Sequence, residues 1–225
     1  MSDDPYVYSG SDVLRNKLGI TDKSQFDCLE RRLVAQRATE RLPTGCFDLD
    51  HLRAIHRHLF QDVYEWAGEL RTVEISKGGH QFQFRQYIET GMADVHRRLE
   101  HADFFRGLSS AEFAKAAGTI IGDVNYVHPF REGNGRTQLY YLEQLAEQAG
   151  HSIDLTRIEP KRWLEASKTA HSGDYTSMGE EIRHAIENHD HPSKYPLTKT
   201  DEQTPQQEVE QEQVSDPGEE QELEQ

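Results

Sequence analysis

Phe113, Ala116, Ala117, Ile120, Ile121, Val124 and Val127 recur at the spacing that lines one face of an α-helix. They predict a helix over Ala111 to Val127 that ends at His128, because Pro129 disfavours α conformation in the residue before it. Leu139, Leu142, Leu145 and Ala146 predict a second helix over Asn134 to Ala149, stopped by Gly150. Leu52, Ile55, Leu59, Val63 and Trp66 predict a third over Leu49 to Trp66. Helices are also expected at Ser11 to Leu18, Lys23 to Arg41, Arg85 to Ala102, Pro160 to Thr169 and Ser177 to Ile186, the last with Ser177 as its N-cap. The exception lies within Arg71 to Phe84. There Gly78-Gly79 separates two short alternating segments, the signal of a β-hairpin. The fold class is therefore all-α, with one small hairpin.

The two best-marked helices are joined by His128-Pro129-Phe130-Arg131-Glu132-Gly133-Asn134-Gly135-Arg136. This loop carries equipment for phosphate chemistry. His128 can take a proton, and Glu132 can hold a divalent cation. The Gly-Asn-Gly run lets main-chain N–H groups approach an anion closely. Arg136 can fork onto phosphate oxygens. The run also sits at a predicted helix N-terminus, where free N–H groups and the positive end of the dipole favour anions.

Charge and composition narrow the picture. The net charge is −15, but from Asp201 onward there are ten acids and no base, so residues 1–200 carry only −5. A Gln-, Glu- and Pro-rich acidic segment has nothing to bury and is expected to be a disordered tail over 191–225, after a helical domain over 1–190. The acidic balance argues against direct nucleic-acid binding. No apolar run approaches the roughly 20 residues of a membrane span, and the polar start MSDDPYVYSG does not read as a signal peptide. Cys28 and Cys46 are expected to be free thiols. His51, His56 and His58 cluster in sequence, as do His184, His189 and His191. Within the first cluster the spacings of five and two suit one helix face poorly, and no structural zinc site is expected.

The loop matches every defined position of the signature H-x-F-x-[DE]-G-N-G-[KR] and so resembles the Fic family. Further stretches, Tyr8 to Ile20, Leu52 to Arg71 and Asp123 to Phe130, extend the likeness over about Tyr6 to Asn188. The resemblance implies a Fic-fold helical bundle with a β-hairpin flap over the active site. It implies a protein adenylyltransferase, a nucleotidyltransferase that moves AMP from Mg²⁺·ATP to a Ser, Thr or Tyr hydroxyl. His128 would be the general base. Arg131, Glu132, Gly133, Asn134, Gly135 and Arg136 would bind the nucleotide, with Glu132 holding Mg²⁺, Asn134 and the glycine amides at the α-phosphate, and Arg136 at the β-phosphate. Phe130 would point into the core. Ser76, Lys77, Gly78, Gly79 and His80 would form the flap that holds the target by strand addition.

Many Fic proteins carry a second arginine three residues after the first, where this chain has Leu139. That departure removes an expected contact to the γ-phosphate. Neither Ser177 to Ile182 nor Ser215 to Glu220 completes the family's inhibitory S/T-x-x-x-E-G/N pattern. Inhibition by a separate small antitoxin carrying an S-x-x-x-E-G helix is the expectation. Expected targets are DNA gyrase and topoisomerase IV, or a host GTPase. The expected location is the bacterial cytoplasm, or another cell into which the chain is delivered. Transfer of UMP or phosphocholine on the same fold, and an inactive binding module, are the alternatives.

Overall fold

The structure, a computed structural model, describes residues 4–77 and 79–186. Residues 191–225, Gly78 and the side chain of His80 lie outside the described residues, as do His189 and His191. The described elements are α1 (Lys23–Ala38), α2 (Leu49–Phe60), β1 (Ser76–Lys77), β2 (His80–Gln81), α3 (Ile88–His101), α4 (Ser110–Val127), α5 (Asn134–Ala149), α6 (Pro160–His171) and α7 (Thr176–Ala185). The fold is mostly helical. Its one described sheet is the antiparallel hairpin β1–β2, with Ser76 opposite Gln81 and Lys77 opposite His80.

Helix α4 is the axis of the bundle and packs against α3, α5, α6 and α7, while α2 packs against α1 and α5. Its sequence suits that place. Phe113, Ala117, Ile121 and Val124 are buried, and small residues allow close neighbours. A Cβ on Gly118 would lie 2.7 Å from the main-chain nitrogen of Gly179 in α7, so the two backbones meet at paired glycines. Ser109 and Glu112 form a reciprocal capping box that starts α4.

Several expectations need correction. Ser11 to Leu18 is not helical. The Asn16 side chain accepts from Ile20 N–H and donates to the carbonyls of Leu14 and Ile20, while Val7 and Leu14 form an isolated antiparallel bridge. An Asn that bonds its own backbone neighbourhood competes with helix formation. Helix α2 stops at Phe60, not Trp66. Beyond it the apolar periodicity continues through a turn in which Val63 and Tyr64 are buried and Tyr64 stacks on Trp66 at 4.1 Å. Residues Arg85–Tyr87 form a 3-10 turn ahead of α3. Helix α7 begins at Thr176 with Tyr175 as N-cap, so Ser177 lies inside it; the first-turn acceptor is Asp174, which takes Thr176 N–H at 3.0 Å.

The first histidine cluster is dispersed. His51 bonds Gln144 and Pro43, His56 bonds Gly68 and Glu132, and His58 bonds the Arg37 carbonyl.

Candidate active site

The loop between α4 and α5 is built from unusual backbone. His128 closes α4 in the left-handed region at φ 47°, ψ 62°, a cost for a residue with a Cβ. Its carbonyl accepts from Arg71 Nε at 2.8 Å. The Arg71 side chain is wholly buried, and its guanidinium also donates to the carbonyls of Val73 and Gln83. The main-chain N–H of Arg71 donates to Pro129 O at 2.9 Å. One arginine therefore ties the end of α4 to the segment that carries the hairpin. A second tie is Gln83 N–H to Tyr126 O at 3.0 Å.

Two contacts orient the His128 ring. Nδ1 lies 3.1 Å from Asn125 O. A carbonyl only accepts, so Nδ1 carries the proton and Nε2 keeps its lone pair. Phe82, just after β2, lies flat on the imidazole with ring centroids 3.8 Å apart. Burial pushes the His128 pKa down to about 4; Asn125 opposes this, while Arg71, Lys77 and His171 add to it. The ring is neutral at physiological pH, the state a base needs.

Phe130 is fully buried, and its ring stacks on His56 at 4.0 Å. His56 accepts Gly68 N–H at Nδ1 and so donates from Nε2 to the Glu132 carbonyl at 3.0 Å. Burial pushes the His56 pKa to about 3, which keeps it a neutral strut. The Asn134 side chain clips the loop from the other end. Its Oδ1 accepts from Phe130 N–H at 2.9 Å and its Nδ2 donates to Phe130 O at 2.7 Å. With that side chain committed, what Asn134 offers an anion is its main-chain N–H.

Helix α5 then starts without a side-chain cap and with no acid in its first turn. By contrast α1, α2, α4 and α6 are capped by Asp22, Asp48, Ser109 and Glu159. The N-cap of α5 is Gly133 at φ 82°, where a Cβ would stand 2.4 Å from the Phe60 ring. A Cβ on Gly135 would meet nothing within 4 Å, so the first turn of α5 has open space beside it at that position; the first N–H groups of a helix have no partner within the helix. Gly133 N–H itself is taken by Glu132 Oε1 at 2.9 Å.

The charged residues of the loop differ in what they are free to do. Glu132 is exposed. Arg136 forms a two-pronged pair with Glu30 of α1, at 3.0 and 2.9 Å, and its guanidinium lies 4.7 Å over the Phe60 ring. Arg131 pairs with Asp4 at 2.7 Å, so its charge is already matched by the N-terminal segment. Leu139 is partly buried and packs against the core. Sequence reasoning brought together His128, Glu132, Gly133, Asn134, Gly135 and Arg136. It missed Glu30, His56, Arg71 and Phe82. Only a histidine inside an apolar helix face hinted at His56; the others carry no local signal.

The Fic/DOC family model matches residues 46–146. The chain is 43% identical over 185 residues to y4lH of Sinorhizobium fredii, named "Probable protein adenylyltransferase", covering 82% of this chain and 96% of that protein. Among solved structures it resembles the N-terminal Fic domain of a VirB-translocated Bep effector protein from Bartonella quintana with bound ADP. That match has a TM-score of 0.75 and 29% identity, covering 81% of this chain and 94% of that one. It also resembles the BepC protein of Bartonella tribocorum with bound AMPPNP, at a TM-score of 0.73 and 27% identity, covering 81% and 96%.

Proposed function

The chain belongs to the Fic/DOC family, and we infer that it is a protein adenylyltransferase, moving AMP from ATP to a hydroxyl side chain of another protein. One observation carries the chemistry: a neutral imidazole with Nε2 unprotonated stands at the end of α4, beside a loop that leads into the uncapped N-terminus of α5. A base and an anion cradle in one loop are what attack of a hydroxyl on a phosphate requires.

In the proposed reaction, Nε2 of His128 takes the proton as the target oxygen attacks the α-phosphorus. The bond to the oxygen bridging to the β-phosphate breaks, and pyrophosphate leaves. The open first-turn amides of α5 hold the charge that builds on the α-phosphate oxygens. Arg136 faces the β-phosphate. Asn134, Phe130 and His56 keep the loop in shape without touching the reacting atoms. Arg131, paired to Asp4, fixes the loop's outer side.

Glu132 suits a magnesium ion. It is the exposed carboxylate of the loop, and magnesium is commonly held by one or two carboxylates plus substrate phosphates. When bound, the ion would neutralise phosphate charge. The hairpin would seat the target: a two-stranded sheet leaves strand edges for an added strand, and Phe82 carries it to His128. DNA gyrase, topoisomerase IV and host GTPases are the candidate targets. A small protein carrying an S-x-x-x-E-G helix is the candidate inhibitor. The bacterial cytoplasm is the proposed site of action, with delivery into another cell as the variant suggested by the VirB-translocated neighbours. No described helix is long and apolar enough to cross a membrane.

The test is incubation of purified protein with Mg²⁺, ATP radiolabelled at the α-phosphate and bacterial lysate. A labelled protein band is expected, with the mass gain of one AMP on the acceptor. No band from folded, ATP-binding protein across bacterial and host lysates would overturn the reading.

A further inference from the structure

Arg136 is not an isolated surface charge. Its Nη1 and Nη2 donate to the two oxygens of Glu30, a residue of α1 that lies far away in sequence and is buried. The same carboxylate accepts the hydroxyl of Tyr64 at 3.0 Å, and Tyr64 is fully buried in the turn after α2. Phe60 lies under the guanidinium, and Nη2 is 3.5 Å from Glu132 Oε1. The result is a chain Tyr64–Glu30–Arg136–Glu132 that runs from the core to the loop.

Burying a carboxylate is costly, and a buried pair is weak evidence of stabilisation. What such a pair does give is geometry. An arginine side chain is long and flexible, and a two-pronged carboxylate holds the guanidinium plane and direction. Guanidinium has five N–H donors. Two go to Glu30 and one, from Nη2, reaches Glu132 Oε1, which leaves the remaining donors for a ligand.

We propose that Glu30, held by Tyr64, is a positioning residue for the nucleotide's polyphosphate: it fixes Arg136 in the orientation that meets the β-phosphate. This rests on the adenylyl-transfer reading and extends the site to α1. Glu30 touches neither substrate nor reacting atoms. The opposite role, a carboxylate that competes with phosphate for Arg136, fits less well, because Glu30 is locked from behind by Tyr64 and already engages the guanidinium from the core side.

The test uses the full chain and calorimetric binding of ATP, ADP and AMP, with melting temperature alongside. AMP lacks the β-phosphate and serves as the internal control. In Glu30→Gln, affinity for ATP and ADP should fall by about tenfold, while AMP stays within about twofold, as loss of a charge-assisted alignment predicts. Tyr64→Phe should move ATP in the same direction by a smaller factor, and it keeps the idea testable if Glu30→Gln does not fold. Adding Glu30→Gln to Arg136→Ala should cost ATP little more than Arg136→Ala alone, because both act through one guanidinium. Unchanged or tighter ATP binding in folded Glu30→Gln overturns the proposal. So does an equal loss for AMP, which would mark general damage. If Arg136→Ala itself leaves the ATP-to-AMP preference intact, the β-phosphate role of Arg136 has failed, and the positioning role falls with it.

Discussion

Phe82 lies on the imidazole of His128 with planes only 20° apart, so the segment that carries the hairpin covers one face of that ring. The contact explains how a loop histidine becomes dry enough for burial to lower its pKa to about 4. In Phe82→Ala, water reaches that face and the charged form is less disfavoured. The acid limb of kcat/KM against pH should move up by about one unit or more toward the ordinary value of 6.5. It should stop short of that value, because Arg71, Lys77 and His171 still oppose a positive ring. An acid limb that stays in place would show that the aromatic cover is not what dries the base.

His128→Ala should abolish transfer by at least the ~10²–10⁴-fold of a general base. ATP affinity should stay near wild type, since in the proposed reaction the ring acts on the acceptor hydroxyl. Retention of more than about a tenth of the initial rate would require another base.

The same variant should alter acid stability. In the unfolded chain His128 binds a proton near pH 6.5, and in the folded chain only near 4. Between those values the unfolded state holds more protons, so the folded state loses about 1.4 kcal/mol per pH unit as pH falls. His128→Ala removes that contribution, while the one from His56 remains. Melting temperatures measured from pH 7 to pH 4 should fall less steeply for the variant. Parallel curves would mean that the ring is solvated in the folded protein.

Two glycines two residues apart should respond oppositely to alanine. At Gly133 the backbone is left-handed and the new Cβ would meet Phe60 at 2.4 Å, so Gly133→Ala should cost roughly 2–4 kcal/mol from strain and overpacking. At Gly135 the new methyl meets open space, and alanine's better helix propensity should raise stability by up to about 1 kcal/mol. That methyl would crowd the proposed anion cradle, so ATP affinity should fall. Denaturant melts with ATP titrations check both. Gain of stability with unchanged ATP binding at Gly135 would mean the anion lies elsewhere.

Leu139→Arg should not rebuild a phosphate contact. Leu139 packs against the core, and arginine there gives up part of a buried side chain's roughly 1.5–3 kcal/mol of apolar transfer. The expected result is a lower melting temperature with no gain in ATP affinity. Tighter ATP binding without destabilisation would mean that this position faces the nucleotide.

The sequence by itself determined the candidate loop and the elements that present it. Helices α4 and α5 were legible because Phe113 to Val127 and Leu139 to Ala146 keep helical period without interruption, and because Pro129 and Gly150 mark their ends. The loop was legible because His128, Glu132, Gly133, Asn134, Gly135 and Arg136 fall within nine consecutive residues, so their joint presence needs no knowledge of the fold. The hairpin was legible from Gly78-Gly79.

Only the tertiary structure decided who holds those residues. Glu30 reaches Arg136 across 106 residues, Arg71 reaches the His128 carbonyl across 57, and His56 reaches the Glu132 carbonyl across 76. Such partners leave no periodic trace, since a single polar contact is set by where two helices cross and not by spacing along either. The same cause undid the helix expected at Ser11 to Leu18: Lys17 N–H is taken by Val63 O, and Arg15 N–H by Tyr6 O. Local propensity is worth a few tenths of a kcal/mol per residue and yields where distant backbone groups supply the hydrogen bonds. Periodicity records which face of a helix is buried, and it is silent on what that face meets.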